Sequence, residues 1–175
     1  MKPAISAVFA LLLLLGSPVR AESEYDVKAA YLYKFTKFVE WPRGAFASAE
    51  APFVIGVIGH DPFAGELDRL IKGNTTGARP IEVRHFTAND SEALRECQMI
   101  FVSASEQRRL SDILAAVQGR PVLLVGESEG FASAGGMLGF ALREKRVGIE
   151  VNSAAAREAR LKISSQLLNI AKIVN

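Results

Sequence analysis

The chain has 175 residues, 49% of them hydrophobic and 23% charged, with 21 Lys and Arg against 19 Asp and Glu. Two of the basic residues, Lys2 and Arg20, fall in a leader. The remainder is therefore balanced at 19 against 19 and lacks the basic footprint of a nucleic-acid binder.

The leader comes first. Lys2 precedes an apolar run from Ala7 to Leu15, then Gly16-Ser17-Pro18 and an A-x-A-like Val19-Arg20-Ala21. This is the pattern of a secretory signal peptide spanning residues 1–21. The run is too short to cross a bilayer, which takes about 20 apolar residues, and no LxxC lipobox marks a lipid anchor. Cleavage leaves residues 22–175, enough for one domain with its own core.

The mature chain opens with "KAAYLYKFTKFVEWP". On a helical wheel Val27, Ala30, Tyr31, Leu32, Phe35, Phe38 and Val39 fill one broad arc, with Lys34 inside it and Pro42 forcing an end after Trp41. A membrane-surface helix would group its lysines on the polar face. Lys28 and Lys34 flank the apolar side instead, so the reading is a core helix. Its wide arc leaves a margin near Lys34 and Trp41 for a subunit or partner contact.

Further along, "PFVIGVIG" reads as a buried parallel strand, followed by a helix capped by Asp61 and opened by Pro62 that runs to Gly73. "IEVRHF" alternates as a half-buried strand, a helical turn spans residues 91–96, and "QMIFVS" is the next strand. Ser105 is expected to cap a helix carrying Leu110, Ile113, Leu114 and Val117 on one face, ended by Gly119. "PVLLVGE" is a fourth strand. Beyond the small-residue loop Gly126–Gly136, "MLGFAL" and "VGIEV" form a hairpin at the sheet's edge, and "SSQLLNIAKIV" reads as a closing helix. Strands alternating with helices imply right-handed crossovers. The fold class is α/β, a Rossmann-like three-layer α/β/α sandwich with a mainly parallel sheet.

Chemistry is sparse. Gly56, Gly59 and Gly65 do not make G-x-G-x-x-G, and Pro62 removes an amide that would face a phosphate. No G-x-S-x-G elbow is present, and Ser103 and Ser105 read as caps rather than nucleophiles. The single cysteine, Cys97, can make no intrachain disulfide and reads as a buried small hydrophobe. His60 and His85 have no second ligand at metal spacing. Neither a cofactor, a metal nor a catalytic residue is expected. The best local site is the loop Gly126–Gly136, which leaves a strand's carboxyl end with Glu127, Glu129 and Phe131.

"KAAYLYKFTKFVEWP", "VIGVIGHDPFAGELDRL", "CQMIFVS", "GGMLGFAL" and "IEVNSAAAREARLKISSQLLNIAKIV" together resemble the YfiR-like family of bacterial periplasmic proteins. The resemblance covers nearly the whole mature chain, in order. It implies a Rossmann-like sandwich, no enzymatic activity, self-association as a homodimer, and a periplasmic location. It also implies a partner: the periplasmic domain of an inner-membrane sensor such as a diguanylate cyclase, which the protein restrains, with consequences for cyclic-di-GMP signalling and biofilm. Some relatives carry cysteine pairs for redox control, which a chain with Cys97 alone does not.

Three functions remain on the sequence: a periplasmic regulatory partner, a small-ligand binding module using the crevice beside Gly126–Gly136 and feeding a membrane sensor, and an enzyme such as a hydrolase. A hydrolase needs a nucleophile and base within reach of each other. The first requires only contact surface, with Lys34, Trp41, Glu127, Glu129 and Phe131 as its candidate residues. Export is directly testable: mass spectrometry of a periplasmic extract should find Glu22 at the mature N-terminus, and an intact Met1 would refute the leader.

Overall fold

A computed structural model describes residues 23–87 and 89–174. The expected signal peptide and its cleavage site lie outside the described residues.

Helix α1 (Glu24–Phe38) starts at a reciprocal cap. Ser23 Oγ accepts from the Asp26 amide at 3.1 Å, and Asp26 Oδ2 accepts from the Ser23 amide at 2.8 Å. Its buried stripe is Lys28, Ala29, Leu32, Phe35 and Thr36. The helix stops at Phe38 rather than Trp41. Val39–Glu40 (β1) pair antiparallel with a strand near the C-terminus, and the Ser164 amide donates to Phe38 O at 2.8 Å.

Strand β2 (Phe53–Ile58) is buried throughout. Helix α2 (Glu66–Ile71) begins later than Pro62, because Ala64 and Gly65 take positive φ (50° and 79°) and break any earlier turn. Asp61 Oδ1 instead accepts from the Phe63 amide at 2.8 Å and shapes a tight turn. The short β3 (Thr75–Thr76) folds back on β4 (Arg79–Phe86), and α3 (Ser91–Leu94) leads to β5 (Met99–Val102). A 3-10 helix at Ala104–Arg109 then precedes α4 (Leu110–Val117). Its cap is Ser103, not Ser105, since the Ser103 hydroxyl accepts from the Ser105 amide.

After β6 (Leu123–Gly126) comes the hairpin β7 (Leu138–Arg143) and β8 (Arg146–Asn152), turned by Glu144 and Lys145, both at positive φ. Helix α5 (Ser153–Glu158), the two-residue β9 (Lys162–Ile163) that pairs with β1, and α6 (Ser165–Leu168) follow. The expected closing helix is only those four residues. Lys172–Val174 instead form β10, parallel to β8 and outside the hairpin, because an open sheet edge gives the backbone of Ile173 and Val174 partners that a frayed helix end would not.

The eight-stranded sheet runs β10-β8-β7-β6-β5-β2-β4-β3 and is mostly parallel, with β7/β8 and β3/β4 antiparallel. Both faces of its centre are covered, which is why β2, β5 and β6 are apolar at every position but the glycines. Leu32, Phe35, Ile55, Val57, Phe101 and Phe140 pack on the α1 side. Val54, Ile58, Ile100, Leu124, Ile113 and Val117 pack on the α4 side. Among the described residues no helix is long and apolar enough to cross a membrane.

Cys97 belongs to the α4-side core at 2% exposure, where a side chain on Gly56 would crowd its Sγ. Burial pushes its thiol up to about 12. It should resist thiol reagents under native conditions near pH 8 and react once denatured. Rapid native labelling would contradict this placement.

Candidate functional site

In open parallel sheets, ligands gather beyond the carboxyl ends of strands where the winding direction reverses. Here that point lies between β2 and β5. Its crevice is filled by the protein itself. Gly59, at φ 91°, leaves room for Ser105 Oγ and the Glu106 side chain where a Cβ would stand, and the His60 amide donates to Ser105 Oγ at 3.0 Å. It is the backbone of His60, not its ring, that meets the serine.

The next carboxyl end, that of β6, carries the loop singled out in the sequence. Glu127 points inward rather than to solvent. Its Oε2 accepts from Lys28 Nζ at 2.7 Å and its Oε1 from the Ala104 amide at 3.1 Å. Both side chains of this pair are only 5% exposed. Lys28 also pairs with Glu24 one turn earlier, and its ammonium lies 4.5 Å from the centre of the Tyr25 ring. Burial alone would push the Lys28 pKa down, but the hydrogen bonds and charges of Glu127 and Glu24 outweigh it and hold it up. The Tyr25 phenol is raised too, first by burial and then by the Glu127 charge.

Phe131 is also inward, 2% exposed, with its ring wedged between Gly126 and Gly136, where neither position has space for a side chain. The loop is tightly bonded rather than loose: the Gly136 amide donates to Phe131 O, the Ala134 amide to Gly130 O, and Asn152 Nδ2 to Ala132 O at 2.9 Å. Phe131 is thus a core residue and has no surface to offer a ligand. Glu129 alone of the three stands exposed.

Beside this loop a crevice of about 450 Å³ opens between Glu127–Gly130 and the outer half of β7, with Glu150 on β8. Arg143 and Lys172 hold Glu150 Oε1 at 3.1 and 3.2 Å. Ser128 lines the crevice at 7% exposure, and its Oγ has no hydrogen-bond partner.

The two aromatic-helix candidates part company. Lys34 is exposed on α1, its ammonium 5.6 Å from the Tyr31 ring centre. Trp41 lies beyond the helix end, half-buried, with Nε1 donating to Gln98 O at 3.0 Å and its ring edge-on to Phe53 at 4.8 Å. It anchors the β1 segment to the core. The helix that was to align it with Lys34 has already ended.

A family model described as DUF4154, YfiR/HmsC-like, matches residues 25–172. The chain belongs to the YfiR/HmsC-like family. No curated protein matches it in sequence. Two solved structures share the fold. One is a conserved domain protein from Vibrio cholerae O1 biovar eltor str. N16961, at TM-score 0.57 and 14% identity over 87% of this chain and 60% of that one. The other is the ABC domain in complex with L-Trp from Streptococcus pneumonia, at TM-score 0.54 and 10% identity over 70% of this chain and 55% of that one. The chain thus spans under two thirds of either neighbour. The YfiR/HmsC-like family is one of periplasmic regulatory proteins that work with membrane signalling proteins, regulatory rather than catalytic.

Within this family member the sequence reading missed Lys28, whose partner is 99 residues away. A signal was there: Lys28 is one and two turns from Leu32 and Phe35 on the buried stripe, and one turn after Glu24. Ser128, Arg143 and Glu150 had no comparable signal.

The ion pair yields a test. Lys28→Met strands a buried carboxylate and should cost about 3–5 kcal/mol, whereas Lys28→Met with Glu127→Gln should recover most of it. A Lys28 pKa raised in the fold contributes stability that is complete below its ordinary value of 10.5 and is lost as pH climbs through the folded value. Raised Tyr25 acts the same way, since unfolding releases its proton above 10.0. Urea midpoints should therefore be level in this respect through neutral pH and fall above about pH 10.

Proposed function

We propose that this chain is a non-enzymatic periplasmic regulator that docks on the periplasmic domain of an inner-membrane diguanylate cyclase and restrains it, lowering cyclic-di-GMP and biofilm formation. The observation that carries the docking is an apolar edge. Leu142 on β7 is 57% exposed and Ile173 on β10 56%, with Ile170, 62% exposed, in the turn that leads into β10.

Register gives the reason. Leu142 follows Leu138 and Phe140 on the α1 side of β7, and Ile173 sits beside Val151, also on that side. The helix layer buries Val151 and Phe140 but leaves Ile173 and Leu142 bare. Lys145 and Arg146 line the surface beside Leu142, while Arg143 and Lys172 turn to the opposite face and hold Glu150, so the exposed apolar side chains have charged neighbours on the same strands. Homodimerisation belongs to the same reading, with Lys34 on the exposed face of α1 as a contact residue and Trp41 supporting the segment beneath it.

The test is made in cells lacking the gene. Wild-type protein should lower cyclic-di-GMP, whereas Leu142→Glu with Ile173→Glu should not, at equal periplasmic abundance and melting temperature. Full activity of the charged variant would overturn this surface, and unchanged cyclic-di-GMP on deletion would overturn the cyclase.

A second reading, a small-ligand module feeding a membrane sensor, is favoured by one observation: the unpartnered Ser128 Oγ in the crevice with Glu129 at its rim. The neighbouring ABC-domain structure holds L-Trp. A ligand carried by the native protein and lost from Ser128→Leu would support this reading.

A further inference from the structure

A second polar group gathers toward the opposite edge of the sheet, at the carboxyl end of β4. His85 shares a face with Ile81 and Val83, which pack in the α1-side core, and it is half-exposed where that core meets solvent. Two carboxylates converge on it. Asp61 comes from the turn after β2 and Asp68 from α2. Asp61 Oδ2 lies 3.9 Å from His85 Nδ1, and Asp68 Oδ2 lies 3.7 Å from His85 Nε2. One donor atom from each residue falls within 4.8 Å of the other two.

These separations are too long for hydrogen bonds, which run about 2.7–3.2 Å. They run to different ring nitrogens; taken with one nitrogen and one oxygen from each carboxylate, the donors lie within 4.8 Å of one another and need a small closure to reach the roughly 3.4 Å between two donors each held about 2.1 Å from one tetrahedral ion. Neither carboxylate is committed elsewhere through the atom concerned. Asp61 spends Oδ1 on the Phe63 amide and is thereby oriented with Oδ2 toward the ring. The Asp68 carboxylate has His85 as its partner among the described residues.

We propose that Asp61, Asp68 and His85 form a binding site for a divalent transition-metal ion of the zinc class. Two carboxylates offset a dication's charge, and an imidazole ligand selects Zn²⁺, Co²⁺ or Ni²⁺ over Mg²⁺ and Ca²⁺. A metal takes one ring nitrogen, so one carboxylate swings around the imidazole edge as the ion binds. Asp61 is held by its bond to the Phe63 amide, so Asp68, its side chain 49% exposed, is the one that moves. Three protein donors leave a fourth position open to water or to a donor from a partner. The ion would tie the β2–α2 turn and α2 to β4. Spacing along the sequence could not reveal the site, because its ligands come from three separate elements.

The experiment titrates the mature, metal-stripped chain with Co²⁺, followed by visible absorption, and with Zn²⁺, followed by calorimetry. One ion per chain is expected, with affinity lowered roughly tenfold or more by His85→Ala and by Asp68→Asn, since each removes a ligand. His60→Ala, which removes the other histidine, should bind as the wild type does. Zn²⁺ should also raise the melting temperature of the wild type but not of His85→Gln, a readout that survives if His85→Ala folds poorly. Equal binding by wild type and the His85 variants, or a wild type that binds no Co²⁺, would overturn the proposal.

Discussion

Helix α1 is fastened to the sheet's carboxyl end by a buried charge. Lys28 reaches from the N-terminal end of the helix's buried stripe to Glu127 just past β6, and Glu127 in turn receives the amide of Ala104 just past β5. Two loops and a helix are thus held by one carboxylate. Such a pair contributes little net stability compared with apolar residues of the same shape, but losing one partner strands the other charge away from water. Its value here is positional: it ties the first turns of α1 to the carboxyl ends of β5 and β6.

That placement shapes the surface. The crevices where an α/β sheet ordinarily receives ligands are closed from within, by Ser105 and Glu106 against Gly59 and by Phe131 between Gly126 and Gly136. What remains open lies to the side. Beyond α1, the hairpin and β10 expose apolar side chains among basic ones, and the crevice by Ser128 runs along the same strands. A fold that elsewhere surrounds a cofactor here presents an edge, which accords with a family of regulatory partners.

The central strands and the fold class were legible in the sequence because unbroken Val, Ile and Phe runs such as Phe53–Ile58 have only one stable setting, a strand covered on both faces. Cys97 was legible for the same reason. Local rules failed where the backbone had a better partner far away. Val39–Glu40 left the helix for β9, and Lys172–Val174 left the expected closing helix for the edge of β8.

Side-chain direction was the larger loss. Glu127, Phe131 and Trp41 read as surface candidates because loop position, charge and aromaticity favour binding sites. Whether each faces out depended on a distant group: Lys28, the paired glycines Gly126 and Gly136, and the carbonyl of Gln98. The sequence by itself determined the central strands, the two-faced core and the family, because those follow from apolar periodicity and motif order within short windows. Only the tertiary structure decided which polar groups are spent inside and which apolar ones are left bare. Burial and pairing are settled between residues tens of positions apart, and local periodicity carries no record of them.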